Sequence, residues 1–537
     1  MSSPLLQFID APQLKDWIHD ENELALLDIR EHGQYGEDHL FFAVPLPYSV
    51  LELDIFRLVP VKSTRIVVYA DDSSQAIVPA AAEVLFRLGY TQVFALRGGI
   101  AAWKQAGYAS FAGVNLPSKT FGEIAEHLYN TPRLPATELH AMLQDKKADV
   151  IVLDGRPIEE YRKMSIPGAI CCPNGELALR INELVPSPNT TIVINCAGRT
   201  RSIIGAQTLI NLNIPNQVYA LENGTQGWYL ADLPLEHKSN RLYPETIAED
   251  SKPMLQARSA QLIEKFQLKT VDAASVKSWL HAGTRNIFLC DVRTRDEYQQ
   301  NMPAYVQHAP GGQLIQATDQ YVGVRKATIV ICDFDGIRAP VTASWLKQLG
   351  WDVCLLIDPQ NLSELPDPAQ FVPELKHTVM LDAAHLGAFI RDNTQARIFD
   401  VRPSQEYRKN HLQCALWAIR STLQAHLDAR PKSNNAAPII LLGSDIGKLQ
   451  VLAHDLERNG HTGIYLCAVD DKTLAQTGLP MESSDNIPPD AECIDYLFFV
   501  HDRHDGNKAA ARKYLEWETN LISQIDEQER NTFSIQP

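Results

Sequence analysis

Short apolar runs alternate along this chain with stretches whose apolar residues recur three and four apart. In IVINCAGRTRSIIGAQTL (Ile192 to Leu209), the β-branched run from Thr191 to Ile194 predicts a buried strand, because branched side chains suit a covered, pleated surface. After Ser202, Ile203, Ala206, Leu209 and Ile210 fall on one helical face. Cys196 therefore opens a short loop between a strand end and a helix start.

The pattern returns. LLDIREHGQY (Leu26 to Tyr35) reappears as VLDGRPIEEY (Val152 to Tyr161), LCDVRTRDEY (Leu289 to Tyr298) and IFDVRPSQEY (Ile398 to Tyr407), each a strand ending in Asp-x-Arg with a tyrosine beyond. The pairs Asp28/Arg30, Asp154/Arg156, Asp291/Arg293 and Asp400/Arg402 stand 126, 137 and 109 residues apart, which are single-domain spacings. Second strands follow at Arg65, Thr191, Thr328 and Pro438, and a third closes units one and two in VFALRGGIAAW and VYALENGTQGW. Strands alternating with helices predict α/β units, each a mainly parallel sheet flanked by helices, with ligands at the carboxyl ends of strands, where Cys196 lies. The expected boundaries are 1–115, 116–236, 269–366 and 367–485, with a charged, proline-rich linker at 237–268 and a helical tail at 486–537.

A chain of 537 residues suits that count at about 150 residues per domain. The net charge of -16 argues against nucleic acid or an anionic membrane as main partner, since phosphate binding needs clustered cations. MSSPLLQFID shows neither a charged leader nor a long apolar run, and no stretch reaches a membrane span, so the expected location is cytoplasmic. The 9 cysteines are scattered without a C-x-x-C pair, which indicates neither a zinc site nor a disulfide framework, and no cofactor is expected.

The thiolate is the nucleophilic form of cysteine. A helix start, Arg199, Arg201 and amides turned inward at Gly198 all favour an anion, so Cys196 is expected on a surface-facing loop and ionised well below about 8.5.

Asp154, Arg156, Glu160 and Tyr161, the I-P-G-A turn from Ile166 to Ala169 and the cysteine-headed loop resemble the rhodanese family of sulfurtransferases. The resemblance covers nearly the whole chain and implies four tandem rhodanese-like domains. It implies a cysteine that takes a sulfane sulfur from a donor and passes it to a nucleophile. Cys196 would be that cysteine and Arg201 its catalytic partner, with Ala197, Gly198, Arg199, Thr200 and Ser202 forming the substrate cradle. Both arginines would hold the donor's charged oxygens. Asp154, Arg156 and Glu160 would be a buried ionic group bracing the loop. Aligned from the strand starts, Ala70 to Asp72, Asp333 and Ser444 stand at the cysteine position in units one, three and four, which are therefore expected to be inactive. Cys332 falls one residue early and should face into the sheet.

The implied partners are a small sulfur donor and a thiol, cyanide or protein acceptor. CAGRTR departs from the C-G-S-G-V-T of mercaptopyruvate enzymes, which favours thiosulfate or a persulfide donor. Phosphatases and arsenate reductases of the same fold are the alternative chemistry, though their C-x5-R loop is longer than the four residues between Cys196 and Arg201. A non-catalytic scaffold is the third reading. Tandem rhodaneses often pair an inactive with an active domain, so unit one is expected to pack on unit two.

Two further features stand out. Cys171 and Cys172 could relay sulfur or pack as core residues, and packing is the common fate of free cysteine. In the tail, His501, Asp502, His504 and Asp505 are metal ligands by residue type, whereas Asp505-Gly506-Asn507 reads as a turn into a helix. The stripe of Tyr514, Trp517, Leu521 and Ile525 would then cover a domain or a second subunit in a homodimer.

Overall fold

The computed structural model describes residues 5–185, 187–363, 365, 367–429, 437–498 and 507–536. His501, Asp502, His504 and Asp505 lie outside the described residues.

Four five-stranded sheets follow one another, all with the same strand order. In unit two that order is Arg133–Leu134, Val218–Leu221, Thr191–Asn195, Val150–Asp154 and Ile170–Cys171, every neighbour parallel. The strand pairing puts Asp154 opposite Asn195, so the Asp-x-Arg turn and the cysteine loop leave the sheet side by side. The expected α/β class is borne out. Units three and four also carry the third strand, Asp352–Leu356 and Ile464–Ala468, beyond the two expected in units one and two. No helix among the described residues is long and apolar enough to cross a membrane.

The units do not pair as expected: the helical face of unit two is covered by unit three rather than by unit one. The helices Asn174–Leu184 and Gly311–Gln316 meet backbone to backbone, and a Cβ on Gly175 would lie 2.8 Å from the Gly312 amide nitrogen. Only glycine permits that approach. Arg338 of unit three pairs with Glu176 of unit two at 2.9 Å, and Trp345 Nε1 donates to Thr208 Oγ1 at 2.8 Å. Unit one packs on unit four through Arg420, whose guanidinium is held by Glu52 at 2.6 and 2.8 Å.

The segment expected as a linker, 237–268, is itself packed. Arg241 and Tyr243 extend the edge of the unit-two sheet at Cys171, and the helix Lys252–Lys265 buries Leu255 and Leu262. In the tail, Asn507 caps the helix Lys508–Thr519, its side chain accepting from the amides of Ala509 and Ala510. Tyr514, Leu521 and Ile525 are buried, and Trp517 covers Gly113, whose φ of +99° and lack of a side chain admit the indole. The apolar stripe is thus covered within the chain, against unit one and the helix Leu116–Tyr129.

Candidate active site

The strand Thr191–Asn195 ends in a polar residue that ties two turns together. Asn195 Nδ2 donates to Asp154 Oδ2 at 2.7 Å and to Thr225 Oγ1 at 3.2 Å. Asp154 in turn receives Arg156 at 2.8 Å from Nε and 2.6 Å from Nη2, and Arg156 also donates to the Met164 carbonyl. Both ions are buried, and the same fork recurs at Asp28/Arg30, Asp291/Arg293 and Asp400/Arg402. A fork present in units with and without the cysteine is a structural brace, because charges removed from water persist only when well paired.

Cys196 begins the loop at 2 % exposure, not on the surface as expected. Its carbonyl accepts from the amide and hydroxyl of Thr225 at 2.8 and 2.9 Å. Gly224, at φ +53°, sits so close that a Cβ would lie 2.4 Å from that carbonyl oxygen. The turn after the third strand therefore sets the loop. Ser202, at the start of the helix Thr200–Asn211, points its hydroxyl at Cys196 Sγ, 3.1 Å away.

The two loop arginines separate in role. Arg201 is gripped by Glu160, Nη1 to Oε1 at 2.8 Å and Nη2 to Oε2 at 2.7 Å, with Gln313 of unit three at 3.4 Å. Glu160 thus orients the loop arginine instead of joining the Asp154–Arg156 pair. Arg199 instead pairs with Glu123 at 2.7 and 2.8 Å and with Glu126, both on the helix Leu116–Tyr129. Burial beside Glu518 and Glu126 pushes the Glu123 carboxyl up to about 7, against the pull of Arg199. Two carboxylates already pair with Arg199, which still lines the cavity before Cys196 together with Gly198 and Thr200.

The tail completes the site. Thr200 Oγ1 donates to Glu518 Oε1 at 3.1 Å, and a Cβ on Gly198 would meet Glu518 Oε2 at 2.9 Å and the Tyr514 ring at 3.4 Å. Gly198 is needed for that contact; its φ is not left-handed, so the expected inward turn of amides is not what selects it. A cavity of about 260 Å³ opens before the loop, bounded by Cys196, Glu160, Arg201, Gln313, Tyr514 and Glu518. Ala197 also lines it. Glu123, Glu126, Gln313 and Glu518 escaped the sequence reading because nothing local marks residues brought in from other elements.

This enclosure reverses the expected ionisation of Cys196. Burial raises its thiol, opposed by Arg201 and the Ser202 hydrogen bonds, while Glu518 acts in the direction of burial. Cys171 and Cys172 are fully buried in the core, Cys171 with its thiol pushed up to about 12 by burial, as packing residues are. Cys332 faces into its sheet, as expected, with Sγ 3.5 Å from the Cys290 carbonyl.

Unit three keeps the loop without the thiol. Arg338 is held by Glu297 at 2.7 Å twice, as Arg201 is by Glu160. At the cysteine position Asp333 accepts from the amides of Gly336, Ile337 and Ala339 at 2.9, 3.1 and 2.7 Å. A carboxylate of the chain's own thus fills that anion cradle.

The family profile described as Rhodanese-like domain matches residues 10–106 and 135–231. A sulfur carrier candidate of Bacillus subtilis, YrkF, is 35% identical over 105 residues, covering 18% of this chain and 56% of its own length. An HTH-type transcriptional regulator of Mycobacterium tuberculosis, Rv0324, is 31% identical over 112 residues, covering 21% and 49%. The chain thus spans about half the length of these curated relatives. The crystal structure of thiosulfate sulfurtransferase from Pseudomonas aeruginosa is 34% identical with a TM-score of 0.87, covering 98% of this chain and 99% of that one. With four sheets in one strand order and a full-length relative at that identity, this chain belongs to the rhodanese family.

Proposed function

We propose that the chain is a sulfurtransferase in which Cys196 carries a sulfane sulfur as a persulfide. The observation that supports this most is the loop itself. One thiol stands at the carboxyl end of a parallel strand, with Ser202 hydrogen-bonded to its sulfur and Arg201 beside it, in front of a cavity. With thiosulfate as donor, the Cys196 thiolate attacks the outer sulfur, the sulfur–sulfur bond breaks, and sulfite leaves with the bonding electrons. An acceptor thiolate or cyanide then takes the outer sulfur, and the electron pair returns to Cys196. Covalent catalysis of this kind splits one transfer into two displacements at one sulfur.

Arg201, oriented by Glu160, faces the anionic donor and the leaving sulfite, and Ser202 supports the sulfur anion between the two steps. Arg199 holds the loop to the helix Leu116–Tyr129. A low-molecular-weight persulfide is the other donor that fits, and a protein thiol the other acceptor. The remaining units frame the site: unit three supplies Gln313, and the tail supplies Tyr514 and Glu518.

The test is to incubate the purified protein with thiosulfate, remove the excess, and weigh it by intact-mass spectrometry. One added sulfur atom, mapped to Cys196 and discharged by cyanide as thiocyanate, is expected. No adduct with thiosulfate or with a low-molecular-weight persulfide would refute the assignment.

A further inference from the structure

A second cavity, of about 420 Å³, lies where unit one, unit three and the tail meet. Its size is within the range of small-molecule sites. Phe42 and Trp351 give it apolar walls, and Asn115 and Ser118, at the start of the helix Leu116–Tyr129, add polar groups.

Arg325 sets its chemistry. The guanidinium lies 3.5 Å from the Phe42 ring centroid, and its Nε donates to the Ile18 carbonyl at 3.2 Å. Among the described residues no carboxylate forms an ion pair with it and its two terminal nitrogens make no hydrogen bond. The buried arginines among the described residues, such as Arg30, Arg156, Arg199, Arg338, Arg402 and Arg420, each hold at least one carboxylate. Burial lowers Arg325 to about 10, against the weaker pull of the Glu529 carboxylate, with which it makes no ion pair. A half-buried guanidinium with four free N–H bonds on a cavity wall is a receptor for an anion.

The same wall offers acceptors. His19 Nε2 and Asp319 Oδ1 are buried there without hydrogen-bond partners. Burial pushes His19 down to about 4, so its ring is neutral, and raises Asp319 to about 6. The other charges on the wall, Lys326 and Glu21, pair with each other at 3.2 Å.

We propose that this cavity is a second ligand site, separate from Cys196, for a small organic anion with a flat apolar body and a hydrogen-bond donor. The anion pairs with Arg325, the body lies between Phe42 and Trp351, and the donor reaches His19 or Asp319.

The test uses the full chain and 4-hydroxybenzoate, with 4-hydroxybenzamide as its uncharged counterpart, in isothermal titration. One equivalent of the benzoate is expected to bind, with the amide weaker by about tenfold or more, since a charge-assisted fork is lost. Arg325→Gln should weaken the benzoate by about the same factor, and Arg325→Lys, which keeps the cation, by less. Equal binding of anion and amide, full binding to Arg325→Gln, or no binding of the benzoate overturns the proposal. Should Arg325→Gln fail to fold, crystals of the unaltered protein soaked in 3-bromo-4-hydroxybenzoate decide. Bromine between Phe42 and Trp351 supports the site; bromine before Cys196, elsewhere or nowhere refutes it.

Discussion

Glu518 accepts a hydrogen bond from Thr200 Oγ1 at 3.1 Å, although the two residues stand 318 apart in the chain. The loop that begins at Cys196 is therefore finished only when the tail has folded back over it. Glycine is required at position 198 because a side chain there would strike Glu518 and Tyr514. Gly198→Ala is expected to push the tail helix off the loop and reduce persulfide formation, with Cys196 more accessible to a bulky maleimide. Unchanged maleimide labelling and unchanged sulfur uptake would show that the tail yields without consequence.

Cys196→Ser should abolish sulfur uptake and leave the fold intact, since the exchange is nearly isosteric and Ser202 can still donate to the new hydroxyl. Cys332→Ala should leave turnover untouched, because that thiol faces the core of unit three and Asp333 holds the loop position. Thiocyanate formation and circular dichroism on both variants check this pair.

Arg201→Lys is expected to cost about 10²-fold in thiosulfate turnover, a magnitude ordinary for loss of a placed anion-stabilising donor. Both terminal nitrogens of Arg201 donate to Glu160, and a lysine cannot donate that planar fork and face a sulfur donor as well. Rescue of kcat/KM by the lysine would mean that charge alone is used.

The repeated Asp-x-Arg strands, the parallel sheets and the place of Cys196 at a strand end were all legible in the sequence, because each depends on local pattern. So was the direction of Cys332, which follows from strand alternation alone. The ionisation of Cys196 was not legible. Its arginines are 3 and 5 positions away, but Gln313 and Glu518, which close the cavity before it, arrive from unit three and the tail. The pairing of Arg199 was hidden for the same reason: its partners Glu123 and Glu126 precede it by 76 and 73 residues. The pairing of unit two with unit three rests on Gly175, Gly311 and Gly312, whose close contact no periodicity announces.

Arg199→Ala should act on stability as well as on the loop. It strands Glu123 and Glu126, both buried, and breaking one side of such an ion pair costs about 3–5 kcal/mol. The deficit has a definite pH dependence. With Arg199 present, Glu123 already sits at about 7, above its ordinary 4.5, so the folded state favours its protonated form and loses stability as pH rises through that interval. Without the guanidinium the carboxyl rises further and that loss grows. Urea midpoints should therefore differ more from the parent at pH 8 than at pH 6. A deficit that is the same at both, or larger at pH 6, would show that Arg199 does not neutralise these carboxylates.

The last expectation concerns Cys196 itself. Burial raises the thiol, Arg201 lowers it and Glu518 raises it, with burial the largest influence. The midpoint for alkylation by iodoacetamide, followed by mass spectrometry with Cys196→Ser as blank, should lie above the 8.5 or so of a free cysteine. Glu518→Gln keeps an acceptor for Thr200 and removes the negative charge, so the midpoint should fall. Arg201→Gln removes the opposing cation and should raise it. Added salt should change little, because charges this well covered are poorly screened. If alkylation titrates well below 8.5, the loop activates its thiol despite the cover. If Glu518→Gln leaves the midpoint where it was, the tail carboxylate shapes the cavity without setting the charge on its sulfur.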